Sequence, residues 1–225
     1  MNKIDKTVKI IGDVELGEKN EILPYSVLIG PLRIGNNNYI GPHVTIGTPG
    51  QDTRNPKYES SDAKIAIGDG NIIREYTAIQ KPCYRDITQV GDNCFLMQSV
   101  HVPHDAIVEN DVVITPMVAM GGICRIMEGA NLGLSSTIHQ YGVVGPYSIV
   151  AMGAPTLKNI RPFCRYIPGK AISVNQYAID KFGFAEFQDE IEAYLFEKVR
   201  PESKTILDLI SRYESAAKES GRPEY

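Results

Sequence analysis

Long apolar runs, paired cysteines and an excess of one charge are all scarce in this sequence. Among its 225 residues, glycine, proline or a charged residue interrupts each apolar stretch before it reaches the roughly 20 residues of a membrane-spanning helix. The first residues lack the apolar core of a secretion signal. The net charge of −4 is too small to indicate a nucleic-acid or polyanion partner. The four cysteines form no CxxC motif, so we expect buried thiols in a cytoplasmic protein.

What the sequence does have is an apolar residue at every sixth position. A period of six fits neither the α-helix nor a simple strand, but three six-residue segments make one triangular coil of a β-helix. The sequence therefore predicts an all-β solenoid of hexapeptide repeats. The apolar positions fall in three runs, which are Ile4, Ile10, Leu16, Ile22, Leu28, Ile34, Ile40 and Ile46; Ile67, Ile73 and Ile79; and Val90, Leu96, Val102, Val108, Ile114, Met120, Ile126, Leu132, Ile138, Val144 and Val150.

A second position, four residues after each apolar one, is occupied by small or slim side chains. A prism with a narrow interior can hold one large side chain per face only if its second inward position stays small. Cys94 and Cys124 occupy such positions, so we expect both to be buried. The others in the last run are Val100, Ala106, Val112, Val118, Ala130, Ser136, Gly142, Ser148 and Ala154.

The period of six also divides the chain. Residues 1–160 are predicted to form the β-helix, with outward loops where the period is interrupted at residues 48–64 and 81–88. Residues 161–225 are predicted to form a transition segment followed by helices, because the apolar spacing there becomes helical. The apolar faces of these helices need a partner, which is either the flank of the β-helix or a neighbouring subunit.

One coil is three hexapeptides, so residues 18 apart should stack at about 4.8 Å, the spacing of adjacent strands. This places His104, Gly122 and Gln140 in one column, with His139 beside Gln140. His101 lies in a second column on the same wall. Three of the four histidines therefore gather near one edge, while His43 lies far away in the early coils.

The residues around this histidine cluster favour some types of reaction over others. A metal site is one interpretation, but the cluster has no HxH spacing and few good ligands converge on it. No Gly-x-Ser-x-Gly motif is present, and the period places no cysteine beside the histidines, which argues against a covalent intermediate. What remains is His104 as a general base facing the backbone amide of Gly122 one coil above. A base and an oxyanion donor are the minimum that direct acyl transfer requires.

Several motifs, in matching order and spacing, resemble those of the UDP-N-acetylglucosamine O-acyltransferases of lipid A biosynthesis, among the hexapeptide acyltransferases. The resemblance covers about residues 10–184. The motifs are residues 46–52 (IGTPGQD), 57–58 (KY), 71–79 (NIIREYTAI), 101–105 (HVPHD), 136–140 (STIHQ), Asn175 and residues 181–184 (KFGF).

The resemblance implies a left-handed parallel β-helix with a short C-terminal α-helical region, assembled as a homotrimer with active sites between subunits. It implies direct acyl transfer without a cofactor, from acyl-carrier protein or acyl-CoA to a nucleotide sugar, and without a metal. His104 would be the general base, Asp105 would support it, and Gly122 would supply the oxyanion N–H. Substrate-binding roles are implied for Gln51, Asp52, His101, His139, Gln140, Asn175 and Lys181.

The chain departs from the family pattern at three places. Ile123 stands where the family often has a further histidine, Lys181 and Phe182 replace a basic pair, and Tyr177 replaces an acidic residue. An acyl-CoA-dependent N-acyltransferase acting on a nucleotide-linked amino sugar is therefore an alternative. Two others are a hexapeptide carbonic anhydrase, with His101, His104 and His139 as ligands, and a non-catalytic β-helix scaffold.

Overall fold

A computed structural model of the chain describes residues 1–52, 54 and 63–225. In these residues 25 short strands form three sheets, and from β1 to β23 the chain contributes one strand to each sheet in turn. All neighbouring strands are parallel except the last pair. The molecule is a left-handed parallel β-helix with a C-terminal helical region, which confirms the predicted fold class.

The three sheets are the three walls of the prism. The first comprises β1 (Lys3–Ile4), β4 (Glu21–Ile22), β7 (Tyr39–Ile40), β10 (Ile72–Ile73), β13 (Phe95–Leu96), β16 (Val113–Ile114), β19 (Asn131–Leu132), β22 (Ile149–Val150), β24 (Cys164–Tyr166) and the antiparallel β25 (Ser173–Val174). The second comprises β2 (Lys9–Ile11), β5 (Val27–Ile29), β8 (Thr45–Thr48), β11 (Ala78–Gln80), β14 (His101–Val102), β17 (Ala119–Met120), β20 (Thr137–Ile138) and β23 (Pro155–Thr156). The third comprises β3 (Val14–Leu16), β6 (Leu32–Ile34), β9 (Lys64–Ile67), β12 (Ile87–Val90), β15 (Ile107–Val108), β18 (Arg125–Ile126) and β21 (Val143–Val144).

The sixth-position residues form the core, as predicted. From Ile22 to Val150 they are buried, and so are the slim residues four places later, including Cys94 and Cys124. In the first coil Ile4 and Ile10 are 41% and 46% exposed, because no coil covers the open end of the prism. At the other end β24 pairs with β22, so the β-helix runs to Tyr166, past the boundary predicted at residue 160.

A column of buried asparagines helps to fix the register of the early coils. Asn38 accepts the backbone N–H of Asn71 at 2.8 Å and donates to the Gly68 carbonyl at 2.9 Å. Asn20 makes the equivalent bonds one coil earlier, to Asn38 and Gly35. Because an unpaired buried amide group is costly, each coil is held above the one before it at a single register.

Both predicted loops leave the wall on the second sheet, and the pairing of β8 with β11 shifts by one residue between Ile79 and Gln80, where the loops begin. Ala78 pairs with Thr45, 33 residues earlier, and with His101, 23 residues later, where an uninterrupted coil would give 18. The extra residues form a first loop, which follows β8, and a second loop at residues 81–86. Of the first loop, residues 53 and 55–62, which include the predicted Lys57–Tyr58 motif, lie outside the described residues.

The helices pack on the flank of the β-helix, which is one of the two partners predicted for their apolar faces. They are α1 (Gln176–Phe182), α2 (Gln188–Glu192) and the 17-residue α3 (Lys204–Ser220), with a 3₁₀ turn at Ala185–Phe187 and a π-helical turn at Ala193–Glu197. Tyr213 of α3 is buried against Met127 and Val143 of the third wall. Among the described residues, no helix has both the length and the apolarity that crossing a bilayer requires.

Candidate active site

A pocket of about 480 Å³ lies where the second wall turns toward the third. It brings together six of the residues predicted from the sequence: Gln51, Asp52, His101, His104, Gly122 and Gln140. It is also lined by five residues that were not predicted: Arg54, Gln80, Pro103, Met120 and Gly121. The predicted columns therefore converge on one cavity, together with part of the first loop.

His104 and Asp105 form the most closely bonded pair in this pocket. His104 Nδ1 lies 2.7 Å from Asp105 Oδ2, and both side chains are buried. Burial alone would raise the pKa of Asp105, but hydrogen bonds from His104 and from backbone N–H groups bring it below its usual value. An ionised carboxylate can only accept, so His104 carries its proton on Nδ1 and keeps the lone pair of Nε2 free.

The second loop holds Asp105 in place. The backbone N–H groups of Cys83, Tyr84 and Arg85 all donate to its carboxylate at 2.6–3.2 Å. The period places no cysteine beside the histidines, but Cys83 comes close to His104 from the second loop, where the period is interrupted. Its side chain is fully buried, so it does not reach the pocket as a nucleophile would.

Gly122 lies directly against the His104 ring, as the 18-residue column predicted. A Cβ atom at Gly122 would overlap His104 Cε1 and Nε2, so only glycine fits beside this ring. The N–H of Gly122 has no hydrogen-bond partner in the described part of the chain. The Nε2 edge of His104 and the backbone N–H of Gly122 therefore lie close together in the pocket.

Asp52 is held in the first loop by two residues that were not predicted. Arg54 donates to both carboxylate oxygens at 3.0 and 3.1 Å, and the Tyr84 hydroxyl donates to Oδ2 at 2.6 Å. These bonds keep the pKa of Asp52 well below its usual range, so it is ionised at neutral pH. Tyr84 also packs edge-on near His104, with ring centroids 6.0 Å apart, and so connects both loops to His104.

His101 and Gln80 each bring a buried polar atom to the pocket lining. His101 lies on β14 below Ala119, and burial lowers its pKa, so its imidazole is neutral at neutral pH. His101 Nε2 and Gln80 Oε1 are buried, and neither has a hydrogen-bond partner among the described residues. Buried polar atoms of this kind favour a site that a polar ligand or water completes.

His139 and Gln140 lie at the rim, where a further unpredicted residue meets them. Arg222, which follows α3, donates from Nε to the Gln140 carbonyl and from Nη2 to His139 Nδ1, both at 2.5 Å. Gln140 lines the pocket, whereas His139 is exposed beside it. The helical spacing of the C-terminal region gave no signal that its last residues return to this edge.

Asn175 and Lys181 lie outside the pocket of the single subunit. Asn175 precedes α1 without capping it through its side chain, and donates instead to the Tyr147 carbonyl at 2.8 Å. Lys181 lies over the Phe182 ring at 4.7 Å. Their substrate-binding roles stay predictions, and Asn175 has a structural role within the fold.

The histidines do not converge as the ligands of a carbonic anhydrase would. Among the described residues, the one set of three potential ligands within 4.8 Å of one another is Cys83, His104 and Asp105. Neither His101 nor His139 belongs to it. The Asp105 oxygens in this set already accept three backbone N–H groups and His104, which favours a hydrogen-bonded dyad over a metal centre.

Comparison with known proteins agrees with this geometry. The bacterial transferase hexapeptide family (six repeats) matches residues 13–48. An acyl-[acyl-carrier-protein]–UDP-N-acetylglucosamine O-acyltransferase from Gloeothece citriformis is 29% identical over 192 residues, which cover 84% of this chain and 68% of the relative. The enzyme of the same name from Stutzerimonas stutzeri is 32% identical over 198 residues, 81% of this chain and 76% of the relative. The chain belongs to the UDP-N-acetylglucosamine O-acyltransferase family.

A solved structure supports membership of this family over nearly the whole chain. The UDP-N-acetylglucosamine acyltransferase from Bacteroides fragilis has a TM-score of 0.76 and 27% identity, covering 96% of this chain and 89% of that one. The chain is therefore an acyltransferase of the UDP-N-acetylglucosamine O-acyltransferase family. A non-catalytic scaffold does not agree with this finding.

Replacing Asp105 with asparagine should make stability less dependent on pH. The pKa of Asp105 is lower in the folded protein than its unfolded value of about 3.9, so its ionised form stabilises the fold fully above that value, and the stabilisation is lost as the pH falls through the folded pKa. Asparagine tolerates the positive φ of this position. Urea unfolding from neutral to acid pH should show a deficit for the variant of about 1–3 kcal/mol at pH 7 that shrinks below about pH 4. A deficit of constant size would contradict an ionised Asp105.

Proposed function

We propose that this acyltransferase moves an acyl group from an acyl-carrier-protein thioester to the sugar hydroxyl of UDP-N-acetylglucosamine or a closely related nucleotide sugar, as a step of lipid A biosynthesis. The observation that carries the proposal is that the His104 ring, with its Nε2 edge, lies against Gly122 in one pocket, and that the Gly122 N–H has no hydrogen-bond partner among the described residues. The relatives named for this reaction support the substrate classes. A cytoplasmic location fits the four cysteines, which are buried and form no disulfide among the described residues.

His104 acts as the general base of this reaction. Its Nε2 takes the proton of the sugar hydroxyl while Asp105 stabilises the imidazolium that forms. The hydroxyl oxygen then attacks the thioester carbonyl and makes a tetrahedral intermediate. When the carbon–sulfur bond breaks, the proton on His104 passes to the leaving thiol, so the histidine ends the cycle neutral and no cofactor is consumed.

Gly122 stabilises the tetrahedral intermediate through its backbone N–H. Negative charge develops on the former carbonyl oxygen, and a fixed backbone N–H lowers the energy of that charge in a pocket with little water. The absence of a side chain at Gly122 is part of this function. It leaves room for His104 and for the reacting carbon at the same corner.

Asp52 and Gln51 bind the acceptor sugar. The Asp52 carboxylate is ionised and held by Arg54 and Tyr84, so it is oriented before the substrate arrives. An oriented acceptor group lowers the cost of positioning the sugar hydroxyl near His104 Nε2. His101 and Gln140 line the remainder of the groove.

The active subunit assembly is a homotrimer in which a neighbouring prism closes each pocket. The outer face of the first sheet supports this, because its outward residues include an apolar column of Tyr39, Ile72, Phe95 and Val113, which Asn131 separates from Ile149. Ile72 is 42% exposed in the single subunit. An apolar column of this kind is typical of an interface between subunits, and closed threefold symmetry would repeat it three times.

Sedimentation equilibrium should give the mass of three chains at micromolar concentration. Phe95→Glu should shift the protein toward monomer, because it places a charge in the apolar column, while circular dichroism should show the β-helix retained. A monomeric wild-type protein would contradict the trimer. An unchanged trimer in Phe95→Glu would contradict the choice of this wall.

Thiol release tests the reaction and the base together. Short and long acyl chains on carrier protein and on CoA should be combined with UDP-N-acetylglucosamine and with nucleotide-linked amino sugars. We expect fastest release with acyl-carrier protein and the hydroxyl acceptor. His104→Ala should lower kcat by roughly 10²–10⁴ with little change in melting temperature, because an unactivated hydroxyl is a poor nucleophile at neutral pH. Asp52→Ala should raise the acceptor KM in the same assay.

His43→Ala is the matched control. His43 is exposed and stacks between Tyr25 and Tyr76 on a different corner of the prism, so its loss should not change kcat. Near-normal turnover of the hydroxyl acceptor by His104→Ala would exclude His104 as the base. Turnover restricted to acyl-CoA and an amino sugar would favour the N-acyltransferase alternative.

A further inference from the structure

A second histidine beside the pocket is held by an arginine from the segment that follows α3. His139 lies one coil above Gly121, which lines the pocket, and its side chain is exposed. Its Nδ1 lies 2.5 Å from Nη2 of Arg222. Its Nε2 has no hydrogen-bond partner among the described residues, so that edge of the ring is available to a substrate.

The guanidinium of Arg222 is fixed by other contacts before it meets His139. Its Nε donates to the Gln140 carbonyl at 2.5 Å and its Nη1 to the Leu157 carbonyl at 3.0 Å. The backbone around it is tied to Asn159, which is fully buried: the Asn159 side chain donates to the Arg222 carbonyl at 3.1 Å, and its backbone N–H donates to Pro223 at 2.8 Å. The position of the guanidinium therefore does not depend on His139.

This contact determines where His139 carries its proton. A guanidinium has only donors and stays charged, so His139 Nδ1 must accept, and a neutral imidazole that accepts at Nδ1 has its hydrogen on Nε2. Nδ1 also lies 3.2 Å from the Gln140 carbonyl, a contact that would need the opposite tautomer. That carbonyl already receives the shorter bond from Arg222 Nε.

We propose that Arg222 is a positioning residue that holds His139 as the neutral Nε2–H tautomer, opposite to the Nδ1–H tautomer that Asp105 imposes on His104. The two histidines then have different tasks. His104 presents a lone pair and removes a proton, whereas His139 presents an N–H and donates a hydrogen bond to an oxygen of the bound substrate. The substrate half of this inference rests on the proposed acyl transfer, but the tautomer does not.

Solid-state nuclear magnetic resonance of protein labelled with ¹³C and ¹⁵N at histidine tests the tautomer without any activity assay. Correlation of each ring nitrogen with its carbons distinguishes Nδ1–H from Nε2–H, and His139→Gln assigns the His139 signals. Wild-type protein at neutral pH should show Nε2–H for His139 and Nδ1–H for His104. Arg222→Met, which keeps the aliphatic stem and removes every donor, should produce a mixture of tautomers at His139 alone.

Arg212→Met is the matched control, because Arg212 also leaves the C-terminal region to reach the β-helix, but it meets Glu109 and Glu128 on the third wall. It should leave the His139 signals and kcat/KM unchanged. Arg222→Met should lower kcat/KM about tenfold, since one oriented hydrogen bond to the substrate is lost, with the melting temperature nearly unchanged.

The tautomer assignment would be overturned if His139 of the wild-type protein carried its proton on Nδ1. It would also be overturned if Arg222→Met left the His139 signals unaltered. An altered tautomer with unchanged kcat/KM would overturn the substrate contact. The tautomers could be as expected while no combination of acyl donor and nucleotide sugar releases thiol. In that case the proposed function fails and the positioning role of Arg222 stands.

Discussion

Hydrogen bonding between successive coils determines which residues of this protein lie above one another, and the active site depends on that register. Each strand pairs with the equivalent strand of the next coil, so His101 lies below Ala119, which lies below Thr137. The buried asparagine column enforces the same register in the early coils, where a slip would leave amide groups unpaired. His104 and Gly122, which are 18 residues apart, thus become neighbours with no local sequence relation between them.

Wherever this register applies, the sequence correctly predicted which residues lie above one another and which are buried. Counting residues along the six-residue period correctly predicted the column of His104, Gly122 and Gln140. It also predicted the burial of Cys94 and Cys124, because a periodic backbone leaves few alternatives for a given position. The end of the β-helix was less well predicted, since β24 pairs with β22 after an irregular connection in which the period is lost.

The sequence did not predict the contacts that the loops and the C-terminal segment make with the pocket. Cys83, Tyr84 and Arg54 belong to insertions, whose path depends on tertiary packing rather than on a repeat, and Arg222 comes from more than 80 residues away in sequence from His139. The one available signal was indirect. Asp105 is a buried carboxylate, so it had to find several donors, and the nearest interruption of the period was the place to seek them.

Both carboxylates of this site accept hydrogen bonds from the protein itself, before any substrate is bound. Asp105 is fully buried yet ionised, because three backbone N–H groups and His104 donate to it. Arg54 and Tyr84 donate to Asp52, which lowers its pKa further and fixes the direction of its carboxylate. The second loop takes part in both arrangements, through its backbone for Asp105 and through the Tyr84 hydroxyl for Asp52. It is therefore the element that connects Asp52 to His104 and Asp105.

The central claim is that His104 and Gly122 act as one unit, and turnover of Gly122→Ala tests it most directly. The added Cβ would overlap the His104 ring while leaving the Gly122 N–H and the coil in place, so kcat for thiol release should fall about 10²-fold or more. Ala119→Ser, on the same wall but outside the pocket lining, should retain full kcat. A Gly122→Ala protein that turns over at the wild-type rate would contradict the account.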